Sequence, residues 1–170
     1  MAKKCDKMLK WVPIVAAALG LVAVVMIFVG AVSQKVLIGD PVVWNGLQVV
    51  FGYSETSSLG SLSTTVEFLK FSFMNLLPYL LVIAGIVLCV LSFLGKGNSF
   101  FAVIAAALFI VAAVFFFMTT VFTIPANVEN IAEYNAEVYT LAAGPIVAGI
   151  CSILAGLVSV TPTVLSKVMK

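Results

Sequence analysis

Four runs of the chain, at about residues 12–32, 71–94, 100–122 and 141–165, contain no Lys, Arg, Asp or Glu. Each meets the roughly 20 apolar residues needed to cross the hydrocarbon core of a bilayer. Inside that core a bare backbone N–H or C=O finds no water, so a crossing segment must close its hydrogen bonds on itself, as a helix does. The sequence therefore predicts an all-α membrane protein, a single domain over residues 1–170 built as a four-helix transmembrane bundle. Composition agrees: 63% of residues are hydrophobic and 9% charged, against about a quarter charged in a soluble domain.

Charge placement sets the expected orientation, because positive residues in short loops stay in the cytoplasm. Lys3, Lys4, Lys7, Lys10, Lys96, Lys167 and Lys170 fall on one side of the four runs. Lys35 and Lys70 fall on the other, with Asp40, Glu55, Glu67, Glu129, Glu133 and Glu137. Both termini are expected in the cytoplasm of a cell whose plasma membrane holds the protein, with external loops at 33–70 and 123–140. Gly95 to Asn98 reads as a tight turn that makes the second and third spans antiparallel neighbours. The first run has lysines before it and Ala31-Val32-Ser33 after it, as a cleaved signal would, but its 21 residues exceed the usual 7–15, so it is expected to be retained. Cys5 reads as a reduced thiol in preference to a palmitoylation site, and Cys89 and Cys151 as small apolar core residues.

The first external loop carries the clearest local motif. In Val42 to Tyr53, "VVWNGLQVVFGY", Asn45-Gly46 flanked by β-branched and aromatic residues predicts a β-hairpin with a type I′ turn. That register sets Trp44 against Leu47 and Val42 against Val49. It gathers Trp44, Phe51 and Tyr53 on one face, which must pack on something because a lone hairpin is marginal in water. The Ser/Thr/Gly-rich stretch that follows reads as flexible connection.

The second loop has a helical period. Val128, Ile131, Ala132, Val138 and Leu141 line one side, and Glu129, Glu133 and Glu137 form a carboxylate stripe. The expected helix runs on into the fourth span, with a kink around Gly144 and Pro145. The stripe reads first as a solvated face, with a divalent cation or a basic partner as the alternative. Within the spans, Ala16, Gly20, Ala148, Ser152 and Gly156 are small residues at spacings that let helices approach closely in lipid, either inside one chain or between two copies. Residues from Val15 and from Ile104 align with nine identities in 17 positions, which leaves an internal duplication open alongside shared membrane composition.

The sequence offers no catalytic chemistry. There is no His, no ionisable group in any span for a proton or ion path, no metal-ligand cluster or phosphate loop, and no basic surface for nucleic acid. No cofactor is expected. Four spans, cytoplasmic termini, a long first external loop with "WNGL" at Trp44 to Leu47 and a shorter helical second loop together resemble the claudin-type tetraspan proteins. That family carries a Trp and a Gly-Leu-Trp element in a first-loop sheet stapled by a disulfide. Here Gln48 stands where the second Trp would be, and the external loops hold no Cys. The resemblance implies an adhesion, barrier or accessory role.

The expectation is a non-enzymatic integral membrane protein, a structural or accessory subunit. Its external cap would meet a protein or lipid partner through Trp44, Asn45, Gly46, Phe51, Tyr53, Glu129, Glu133 and Glu137. The alternative is a component of a transporter or channel.

Overall fold

The computed structural model describes residues 11–36, 39–59, 62–94 and 99–168. Lys3, Lys4, Cys5, Lys7, Lys10, the turn at 95–98 with Lys96, Lys170 and the side chain of Lys167 lie outside that description.

Helix α1, Val12–Val25, opens with Pro13 in its first turn, where a missing N–H costs nothing, and runs into a 3-10 turn at Met26–Phe28. The first apolar run is therefore helical only to Phe28, four residues short of expectation. Gly30–Gln34 forms strand β1 because its backbone finds partners on both sides, in β2 (Val42–Asn45) and β6 (Tyr139–Leu141).

The second apolar run is α3, Phe73–Phe93, whose N-cap Ser72 accepts through Oγ from the Asn75 N–H. The third is α4, Ser99–Phe117, which breaks at Met118 before the short α5, Thr119–Phe122. There the Thr119 hydroxyl donates to the Phe116 carbonyl at 2.7 Å and that of Thr123 to the Thr119 carbonyl at 2.9 Å. Such back-bonding competes with the helical ladder and bends it. The fourth is α7, Ala143–Val168.

Three of these helices, α3, α4 and α7, are long and apolar enough to cross a membrane; the fourth segment, Val12–Phe28, is shorter. Each of α1 and α4 packs on both α3 and α7. The shared core is lined by fully buried alanines such as Ala16, Ala105, Ala112 and Ala155, with Phe109 and Phe116 filling the centre. Small residues bring backbones close, which in lipid takes the place of hydrophobic association. The outward faces remain apolar, as at Leu21, Ile83, Val114 and Leu157.

The described residues between the helix ends at Phe28 and Phe73, and between Phe117 and Ala143, lie at one end of this helical body and form a cap. Its two three-stranded sheets each combine the two loops: β2-β1-β6 takes two strands from the first loop and one from the second, and so does β3-β4-β5. Here β3 is Tyr53–Leu59, β4 Leu62–Lys70 and β5 Ile124–Pro125.

The hairpin predicted over Val42–Tyr53 is overturned. Asn45 and Gly46 do not turn a ribbon; Asn45 caps a helix, α2, Gly46–Phe51. Trp44 pairs with Val32 and Val42 with Gln34, instead of with Leu47 and Val49. The hairpin lies further on, where β3 and β4 pair from Tyr53↔Leu69 to Leu59↔Leu62 in the stretch expected to be flexible. The helix of the second loop, α6 (Ile131–Val138), is also not continuous with the fourth span, since β6 intervenes to complete the first sheet. Gly144 and Pro145 accordingly sit in the first turn of α7 and mark no kink.

Candidate interaction surface of the cap

Helix α2 is set by its ends. The Asn45 side chain accepts from the Gln48 N–H at 2.9 Å, and the Gln48 side chain accepts from the Asn45 N–H at 2.9 Å, a reciprocal capping box. Gly52 ends the helix at φ +87°, a left-handed conformation that favours glycine. A Cβ there would also lie 2.8 Å from the Leu69 carbonyl oxygen, so β4 runs close beneath it.

The turn through α2 brings Trp44 and Tyr53 together by a route the sequence did not suggest. Ring centroids of Trp44, Tyr53 and Phe68 lie 5.3, 5.6 and 6.1 Å apart, a triangle that joins the two sheets. Trp44 is only 6% exposed, and its indole N–H donates to Gln34 Oε1 at 3.4 Å. Around it pack Val32, Val49, Leu69 and Tyr139, a core separate from that of the helices. Tyr139 meets Tyr134 of α6 edge-on at 5.7 Å. Burial, with a smaller contribution from Tyr134, pushes the Tyr139 phenol up to about 12.

The cap is locked to the helices by side chains that satisfy the carbonyls at the end of α5. Asn135 Nδ2 donates to Thr123 O at 2.7 Å and to Val121 O at 3.4 Å, and Ser72 Oγ donates to the intervening Phe122 O at 2.6 Å. Three successive carbonyls left open by the helix end are thereby closed from two directions. Asn75, 3% exposed like Asn135, differs in having no partner for either polar side-chain atom.

The residues expected on a partner surface divide. Trp44 and Gly46 are buried and shape the cap without facing out; Asn45 and Tyr53 are half-buried. Phe51 is exposed but lies apart from Trp44 and Tyr53, against Phe71 at 6.4 Å. Glu129, Glu133 and Glu137 are all exposed. Glu129 falls before α6 begins, and Glu133 is tied to Asn130 Nδ2 at 2.7 Å. Among the described residues no three acidic, His or Cys groups come together as a metal site would require, so the carboxylates do not converge on a cation. The helix-packing set Ala16, Gly20, Ala148, Ser152 and Gly156 is buried within the one chain. Cys89 is buried and Cys151 half-buried, both as free thiols.

Asn135 escaped the sequence reading; Phe68 reads from sequence as an interfacial aromatic before the second span and Ser72 as a polar group within it, whereas the structure sets Phe68 against Trp44 and Ser72 on the Phe122 carbonyl. Asn135 had a visible signal: it lies four residues after Ile131 and three before Val138, on the apolar side of α6, where an amide must find buried partners.

Compared with protein families, with curated proteins and with solved structures, the chain shows no match, and its functional reading rests on its own residues.

Proposed function

We propose that this chain is a non-enzymatic integral membrane protein with four spans and cytoplasmic termini, residing in the plasma membrane. Its external cap serves as a structural or accessory module toward a protein or lipid partner. The observation that carries this reading is the cap itself. Both sheets interleave the two loops, and Asn135 and Ser72 pin them to α5, so the cap is a folded body at one end of a set of apolar helices. A first span of 17 residues in Val12–Phe28 reaches about 25 Å, which a locally thinned bilayer accommodates.

The accessory role is favoured over a transporter role because Phe109 and Phe116 fill the centre of the helices, both almost fully buried. A conduit would have to run between copies. A claudin-like character remains part of the proposal. Trp44 in a sheet strand supports it, whereas Gly46 and Leu47 lie in α2, off the sheet where that family carries its Gly-Leu-Trp element.

The test uses exposed positions, since truncating Trp44 would undo the cap's own core. Photo-crosslinking residues at Val43, Thr56 and Glu137 in intact cells should capture a defined partner from outside, and a tag on the N-terminus should stay inaccessible to impermeant reagents. Substrate flux from the purified protein in liposomes would instead establish the conduit.

A further inference from the structure

The rim of the cap carries two aromatic rings that neither sheet covers. Phe51, the last residue of α2, is 58% exposed, and Phe71, just before α3, is 51% exposed. Their height relative to the helices is fixed by backbone contacts. The Ser72 N–H donates to the Val50 carbonyl at 2.9 Å, tying the end of α2 to the N-cap of α3. At the start of α2, a Cβ on Gly46 would lie 2.6 Å from the Ile27 carbonyl oxygen and 3.0 Å from Tyr79 Oη. Tyr79 is six residues into α3, about 9 Å along its axis. Helix α2 is thus wedged between the end of the first helical segment and the N-terminal end of α3, where the Tyr79 side chain reaches it.

The helix that begins two residues after Phe71 exposes an apolar face of its own. Phe73, Leu80, Ile83, Val87 and Val90 are exposed along α3. Their spacing keeps them within an arc of about 100°, a stripe that an apolar solvent must cover. Phe71 precedes the first residue of that stripe by two positions, and the Phe51 ring lies 6.4 Å from that of Phe71. The opposite end of the cap differs in chemistry: Thr56 and Thr65 face each other across β3 and β4 with hydroxyls 3.1 Å apart, among exposed Ser54, Ser58, Ser63 and Glu67.

We propose that Phe51 and Phe71 form a seat embedded in the outer leaflet, with lipid as its occupant, so that this rim of the cap rests in the bilayer interface while the hairpin end stands in water. Aromatic side chains favour that boundary. The placement also brings α2 to the outer end of the short first helical segment, restoring protein at a depth that Val12–Phe28 does not fill. This inference rests on the membrane-spanning reading above.

The unmodified protein in phosphatidylcholine liposomes tests it, using an apolar diazirine dissolved in the bilayer and, in parallel, hydroxyl radicals generated in the water, both mapped by mass spectrometry. Phe51 and Phe71 should take the lipid-borne label at the level of Ile83 and Val87, while Thr56 and Thr65 take only the water-borne one. Label on Ile83 and Val87 with oxidation at Phe51 and Phe71 would place the pair in water and overturn the seat. Protection of the pair from both reagents would show protein covering it and overturn the lipid assignment. Absence of lipid label at Ile83 and Val87 as well would overturn the membrane-spanning reading and the seat with it.

Discussion

The side-chain amide of Asn135 donates to the backbone carbonyl of Thr123 at 2.7 Å, joining the second-loop helix to the end of α5. Its Oδ1 has no partner, so the residue acts through its donors. Asn135→Leu should therefore leave the carbonyls of Val121 and Thr123 open in a buried place and cost about 1–3 kcal/mol. Asn75, equally buried but bonded through neither side-chain atom, should behave in the opposite sense. Asn75→Leu removes an unpaired amide from an apolar setting and should be neutral or stabilising. Thermal unfolding of both variants in detergent gives the comparison, and equal losses from the two would remove the distinction between them.

The capping box at Asn45 and Gln48 makes a second prediction that separates the helix from the hairpin the dipeptide suggests. Serine caps helices nearly as well as asparagine, so Asn45→Ser should change stability little, whereas Asn45→Ala should cost about 1 kcal/mol. A type I′ turn would rank them differently, because serine has no special tolerance for positive φ and both replacements would be harmful. Denaturation of the two variants side by side decides it.

Tyr139 gives a pH dependence confined to alkaline solution. Its phenol titrates near 12 in the folded protein against 10.0 ordinarily, because burial, assisted by Tyr134, penalises the phenolate. The unfolded chain thus releases this proton first. The contribution is fully present below pH 10 and is lost as pH rises from 10 through 12. Tyr139→Phe should flatten that part of the stability profile, and Tyr134→Phe should move the phenolate absorbance of Tyr139 to lower pH. A wild-type profile retained by Tyr139→Phe would show that the alkaline loss does not come from this phenol.

What the sequence made legible follows from which forces are local. Uncharged apolar runs announced the long helices, because solvation by lipid acts on each run by itself. The end of the first run did not show, since Gly30 to Val32 leave the helix only when β2 and β6 offer their backbone bonds, and those partners are distant in the chain. Asn45-Gly46 misled for a related reason. The same dipeptide starts a turn or caps a helix, and the partner that decides for the cap, Gln48 three positions on, sits among β-branched residues that point to a strand. The exposure of the carboxylates was legible, because charge keeps them in water; that the Trp44 face needed packing was legible too, but its partners Phe68 and Tyr139 were not, because they come from other strands.

Phe109 carries the last prediction, because its ring is held between two glycines on different helices. A Cβ at Gly85 would lie 3.0 Å from both Cε1 and Cζ of that ring, and one at Gly20 would lie 3.0 Å from Cε1 and 2.8 Å from Ile86 Cγ1. With the ring fully buried and contacted from α1 and α3 alike, it has nowhere to yield. Gly85→Ala should then cost about 1–3 kcal/mol through overpacking. Phe109→Ala should cost about 3–5 kcal/mol through the cavity it opens. In the double variant the new methyl group enters space the ring has vacated, so the pair should cost less than the sum by about 0.5–3 kcal/mol. Reversible unfolding in mixed micelles measures all four corners of that cycle. Simple additivity would mean that the ring and Gly85 do not meet as described, and that the helices are held by contacts elsewhere.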